Sequence, residues 1–67
     1  MSEATMTPLE VQGVLDILDR RRFTMIQYLD LKVKESDWHG VADAAMDLRD
    51  IESEVKAFQS VLRGGYE

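Results

Sequence analysis

The stretch Val33-Lys34-Glu35-Ser36-Asp37-Trp38-His39-Gly40 decides the fold of this chain. A periodic apolar pattern runs up to it from the N-terminal side, and another leaves it on the C-terminal side. Asp37 is the favoured N-cap of the second pattern, with Ser36 as the alternative, because short polar side chains accept hydrogen bonds from the first backbone N–H groups of a helix. A connection of about two to four residues forces two long helices to lie antiparallel and adjacent.

The first helix begins at Thr7-Pro8-Leu9-Glu10. This is the pattern of a capping box, in which Thr7 and Glu10 each bond to the other's backbone N–H. Pro8 fits the first helical position, where its missing N–H would have no intrahelical partner. The sequence therefore predicts a helix over about residues 8–35.

The second helix is predicted over about residues 38–63. It is followed by Gly64-Gly65, which supplies the left-handed position that commonly ends a helix. Residues 1–6 and 66–67 are expected to be flexible ends. The sequence thus predicts one all-α domain, an antiparallel two-helix hairpin over residues 7–65.

Each predicted helix carries an apolar stripe with the helical period. A single register pairs the two stripes along their length, placing Met25 near Leu48 and Leu18 near Val55. That agreement is the main argument for a hairpin. The stripe of the first helix contains Val11, Val14, Leu15, Leu18, Met25, Ile26, Leu29 and Val33, and that of the second contains Val41, Ala44, Ala45, Leu48, Ile51, Val55, Phe58 and Leu62.

Further apolar residues of the first helix, among them Leu9, point away from this stripe. A lone helix pair would leave them in water, at a cost of several kcal/mol at roughly 25 cal/mol per Å². We therefore expect the hairpin to pair into a homodimeric four-helix bundle or to bind a different protein. Trp38 is either an interface residue or a cover folded back over Leu31 or Val41. The candidate partner-binding residues are Ile17, Phe23, Leu31 and Trp38.

The chain has a formal net charge of −5, which disfavours generic binding to nucleic acid. A local basic cluster lies in the first helix, close to Tyr28. It could bind an anionic nucleotide where two subunits meet, or it could pair with an acidic stripe on the second helix. Arg22 lies on the apolar stripe itself, where the register places it and Arg21 beside Asp50 and Ile51. The cluster is Arg20, Arg21 and Arg22, and the stripe is Asp43, Asp47, Asp50 and Glu54.

The chain contains no Cys and one His. His39, Asp43 and Asp47 have a spacing that can hold a metal ion, although an exposed His39 explains the pattern more simply. We predict no catalytic residue, no metal and no cofactor. Neither a signal peptide nor a long apolar segment is recognisable, so we expect a soluble protein of the cytoplasm.

The stretch from Lys34 to Glu52, KESDWHGVADAAMDLRDIE, resembles a sequence found in short helical-hairpin proteins of unknown function that phages and prophages encode. The resemblance implies a small helical homodimer in the host cytoplasm that binds and inhibits a host protein, or that sequesters a host signalling molecule. We therefore expect a non-enzymatic protein-interaction module. The alternatives are a nucleotide sponge and a small structural or assembly protein.

Overall fold

Two helices make up the part of the chain that the computed structural model describes, residues 6–64. They are α1, Pro8–Lys34, and α2, Trp38–Leu62. They pack side by side as a hairpin of 51 × 20 × 20 Å, and residues 6–64 contain no strand. The predicted helical hairpin is confirmed, and α1 and α2 each end one residue before the limit expected from the sequence. The predicted flexible ends and Gly65 lie outside the described residues, apart from Met6.

Both helices begin at the predicted caps. Thr7 Oγ1 accepts from the backbone N–H of Glu10 at 3.2 Å, and Glu10 Oε1 accepts from that of Thr7 at 2.8 Å. At the start of α2, Asp37 Oδ1 accepts from the backbone N–H of Gly40 at 3.0 Å. Because each bond occupies a donor that the helix itself leaves unpaired, the side chains fix where the helices start.

Ser36 makes the turn between the helices, with a left-handed φ of 58°. Its N–H donates to the carbonyl of Val33 at 3.0 Å, and the N–H of Asp37 donates to that of Lys32 at 2.9 Å. These two bonds define a Schellman motif, which usually has glycine where Ser36 stands. At the end of α2, Gly64 occupies the same position with a φ of 74°.

The core is a narrow seam between the helices. Leu18, Ile51 and Val55 form its buried cluster. Seam residues alternate at spacings of three and four, the pattern of a coiled coil. They are Val11, Leu15, Leu18, Arg22, Met25, Leu29 and Lys32 on α1, and Val41, Ala44, Leu48, Ile51, Val55, Phe58 and Leu62 on α2.

The stripe predicted for the core was too wide. Ile26 is 50% exposed, Val33 is 40% exposed, and Ala45 and Leu62 are also exposed, whereas Val14 is half-buried against the core as predicted. A stripe with a 3.6-residue period suits a helix with neighbours on several sides, whereas a pair of helices shields mainly the two seam positions of each heptad. The apolar surplus is therefore larger than the sequence indicated.

Gly40 is buried beneath the side chain of Lys32 at the turn end of the seam. A Cβ at Gly40 would lie 2.9 Å from Cδ of Lys32 and 3.0 Å from Oδ2 of Asp37. The stem of Lys32 therefore covers the last layer of the seam, while its ammonium group lies 3.3 Å from Oε1 of Glu35 and 3.5 Å from Oδ2 of Asp37.

Candidate functional site

Arg22 occupies a seam position at mid-hairpin and bonds to a carboxylate on each helix. Its Nη1 donates to Oε2 of Glu52 at 2.9 Å, and its Nη2 donates to Oδ1 of Asp19 at 2.6 Å. The bond with Glu52, followed by that with Asp19, raises the pKa of Arg22 above its ordinary value. The predicted position of Arg22 beside Asp50 was wrong, because Asp50 lies on the edge of α2 opposite to Glu52.

The bonds of Arg22 identify one side of the hairpin, since Asp19 and Glu52 must both lie there. Steps of seven residues stay on one side of a helix in a coiled-coil pair. From Asp19 they lead to Ile26 and Val33, and from Glu52 they lead back to Ala45 and Trp38. The same side therefore carries apolar residues from both helices in the half of the hairpin next to the turn.

Phe23 belongs to this side as well, because it lines a shallow groove together with Asp19, Arg22 and Ile26. Phe23 is 62% exposed and Trp38 is 63% exposed. We call the four large side chains Phe23, Ile26, Val33 and Trp38 the apolar flank. With this exposure Trp38 does not act as a buried cover over Leu31 or Val41.

The opposite side of the seam is acidic. Asp47, Asp50 and Glu54 line a groove there together with Arg21 and Met25. These carboxylates belong to the acidic stripe that the sequence predicted, and we call Asp43, Asp47, Asp50 and Glu54 the acidic flank. The groove also places Arg21 beside Asp50 and Ile51, as the register predicted for that residue.

The four candidate partner-binding residues do not share one surface. Phe23 and Trp38 lie on the apolar flank. Ile17 is one helical turn before Arg21, and Leu31 follows Ile17 by two steps of seven residues, so both lie towards the acidic flank. All four are exposed. Ile26 was missed as a surface residue, although its seven-residue spacing from the polar Asp19 was a usable signal.

The four candidate anion-binding residues do not converge either. Arg20 lines the groove beside Phe23, whereas Arg21 lines the groove on the acidic flank. The guanidinium of Arg22 is already bonded to two carboxylates. The ring of Tyr28 lies beneath the ammonium group of Lys32, with 5.1 Å from Nζ to the ring centroid.

Ionisable groups cluster around the turn. The hydrogen bond to Glu35 is the main cause that raises the pKa of Lys32. The backbone N–H of Gly40 is the main cause that lowers the pKa of Asp37, and the charge of Lys32 acts in the same direction. These shifts show that the charged forms of both groups are favoured in the folded turn.

His39 lies at the outer edge of α2, where its Nε2 is 3.5 Å from Oδ2 of Asp43. Both side chains are largely exposed. Within residues 6–64, no group of three or more His, Cys, Asp or Glu side chains is placed to hold a metal ion. His39 and Asp43 therefore form a contact at the surface.

Comparisons of this chain with family models, with curated proteins and with solved structures found no match. The resemblance of residues 34–52 to phage proteins therefore stays a prediction. Neither α1 nor α2 is apolar enough along its length to cross a membrane.

Proposed function

We propose that this chain is a non-enzymatic protein-interaction module that pairs with itself and binds a host or assembly protein. One observation carries the proposal: large apolar side chains remain exposed on both flanks of a hairpin whose core is a narrow seam. Phe23 and Trp38 are the most exposed aromatic residues described. Aromatic residues at a surface are frequent energetic centres of protein interfaces.

The exposed apolar side chains support the same proposal. Among those that are about half exposed or more are Leu9, Ile17, Phe23, Ile26, Leu31 and Trp38. A stable protein interface buries about 800 Å² on each partner. Association therefore offers these side chains the burial that the hairpin's own fold does not provide.

The proposal includes a phage origin and action in the host cytoplasm, for which the resemblance of residues 34–52 is the support. It assigns no catalytic residue and no cofactor. The nucleotide sponge receives no support from the geometry, because Arg20, Arg21 and Arg22 are divided between two grooves that also contain carboxylates. An assembly protein differs from a host inhibitor only in the partner that it binds.

The test begins with capture of a binding protein on the immobilised full chain, followed by its identification and purification. The purified partner is then titrated against wild type and four single variants: Ile17→Asp, Phe23→Asp, Leu31→Asp and Trp38→Ala. Met46→Asp is the matched control, because Met46 is 55% exposed but lies on the outer side of α2.

We expect at least one of the four variants to weaken partner binding by about tenfold or more, as hot-spot substitutions do. Met46→Asp should stay close to wild type, and circular dichroism should show that all variants remain helical. Unchanged binding in all four variants would show that these exposed residues are not the interaction surface.

A further inference from the structure

The apolar flank is confined to the half of the hairpin next to the turn. In the other half, the same side of the molecule is charged. Asp16 lines a groove there with Asp19 and Gln59. Lys56 is one helical turn after Glu52, so it lies on the same side. By the same seven-residue steps, Asp30 and Arg49 also lie on this side near the turn, and Leu9 lies on it near the chain ends. This side of the hairpin is thus mainly apolar near the turn and mainly polar near the chain ends, and these parts are called its apolar half and its charged half.

Beyond the bonds of Arg22 with Asp19 and Glu52, the two helices carry opposite signs in the charged half. On α1 the charged residue is Asp16, whose Oδ1 accepts from Nε2 of Gln12 at 3.2 Å. On α2 the charged residue facing the same way is Lys56. Arg63 follows Lys56 by seven residues and extends the basic series. The register of the seam puts Asp16 and Lys56 at nearly the same height along the hairpin.

Two symmetric arrangements let a second copy overlap the hairpin along its full length, and one of them fits this pattern better. A two-fold axis parallel to the helices places α1 over α2 of the other copy, with both turns at the same end. The apolar halves of the two copies then face each other, and Asp16 of one copy faces Lys56 of the second copy. An axis perpendicular to the helices would instead place Phe23 and Ile26 against the charged half, which would desolvate charges against apolar side chains.

We propose that two copies pack through the apolar flank about a two-fold axis parallel to the helices, forming a four-helix bundle with both turns at one end. The exposed Ala42 and Ala45 on this side are small enough to let α1 of the second copy approach. The inference rests on the proposed function and names the occupant of one of its surfaces. The acidic flank, with Ile17 and Leu31, then remains accessible to the host or assembly protein.

The first test measures the orientation of the two copies. The chain contains no Cys, so His39→Cys gives a single attachment site for a spin label near the turn. The side chain of His39 is 90% exposed, so the change should leave the fold intact. Electron-spin distance measurement should give about 20–30 Å between labels, the width of a bundle with helices about 8–10 Å apart.

The perpendicular arrangement would place the turns at opposite ends and separate the labels by about 40 Å or more, the length of a helix of 27 residues. Such a distance would overturn the inference while leaving self-association, and so the proposed function, in place. A monomeric chain would overturn the self-pairing in both proposals, whereas binding of the other partner is measured separately by titration.

The second test uses charge reversal between copies. Asp16→Lys alone and Lys56→Asp alone should each weaken the homodimer by about tenfold, because two symmetric attractions become repulsions. An equimolar mixture of the two variants should recover an affinity close to wild type, since every facing pair in the mixed dimer is again attractive. If mixing restores nothing, these residues do not face each other across the interface.

The third test locates the interface. Ile26→Glu should abolish or strongly weaken dimer formation in sedimentation, whereas Leu31→Glu, an equally exposed residue towards the acidic flank, should leave it unchanged. Circular dichroism at the same concentration separates loss of pairing from loss of helix. The reverse result would assign the second copy to the acidic flank and refute the inference.

Discussion

Replacing Ser36 by glycine should stabilise the hairpin, although glycine usually weakens helical proteins. Ser36 has a φ of 58°, where the Cβ of an ordinary L-residue costs about 1–2 kcal/mol. The two bonds that close the turn, at 3.0 Å and 2.9 Å, join backbone atoms and are kept in Ser36→Gly. Glycine also gives the unfolded chain more conformational freedom, which cancels about 0.5–1 kcal/mol of the strain that is relieved. The net gain should be about 0.5–1 kcal/mol.

Thermal unfolding followed by circular dichroism measures this gain. A change of 1 kcal/mol moves the midpoint of a domain of this size by about 4–8 °C, so we expect a rise of roughly 2–8 °C. Wild type and variant must be compared at one protein concentration, because self-association also raises the midpoint.

The reciprocal change provides a control. Gly64 has the corresponding left-handed conformation, with a φ of 74°, at the end of α2. Gly64→Ser should therefore lower the midpoint, while Ser36→Gly raises it. A fall of the midpoint in Ser36→Gly would refute the left-handed turn and, with it, the geometry that brings α1 and α2 together.

Four other changes test the packing and the turn. Gly13→Ala should raise the free energy of unfolding in urea by about 1 kcal/mol, because an added Cβ meets nothing within 4 Å. Gly40→Ala should be clearly less stable than Gly13→Ala, because its Cβ would lie 2.9 Å from Cδ of Lys32. Equal free energies of unfolding for the two variants would contradict the close packing at Gly40. Leu18→Ala should cost about 2–4 kcal/mol in the same assay, since Leu18 is 4% exposed, and a cost below about 0.5 kcal/mol would place it outside the seam. Folding lowers the pKa of Asp37. The stabilisation that the ionised Asp37 gives the folded hairpin is therefore complete above its unfolded pKa of about 4, and it is lost as the pH falls through the lower folded pKa. Asp37→Asn retains a capping side chain, and its midpoint should fall less than that of wild type below pH 4; parallel curves would refute the linkage.

The hairpin itself was predictable because local and long-range signals agree. Thr7, Asp37 and Gly64 mark helix ends by hydrogen bonds and backbone conformations that depend only on neighbouring residues. The register between the stripes then follows from the short connection. These features need no knowledge of what surrounds the pair.

The width of the core was not predictable from the apolar stripe, because burial depends on how many neighbours a helix has. Ile26 and Val33 have the residue types of a core and lie at its edge, yet in a two-helix pair they remain exposed. The partner of Arg22 was missed for a related reason. The register gives the height of a residue along the seam but not its side, and Asp50 and Glu52 flank Ile51 on opposite edges.

The flanks follow from structure rather than from composition. The sequence grouped Ile17, Phe23, Leu31 and Trp38 as one set of surplus apolar residues. The bonds from Arg22 to Asp19 and Glu52, together with the residues that line the two grooves, show which side each helix position faces, and they divide that set in two. The grooves also show that the arginine cluster is continuous in sequence but divided in space.

The central claim is that the surface left exposed by one hairpin is covered by association. Sedimentation equilibrium of the wild-type chain at micromolar concentration tests it most directly. We predict a particle of twice the 7.7 kDa chain mass that retains its helical circular dichroism. A helical, stably folded particle of 7.7 kDa over the whole micromolar range would contradict the claim.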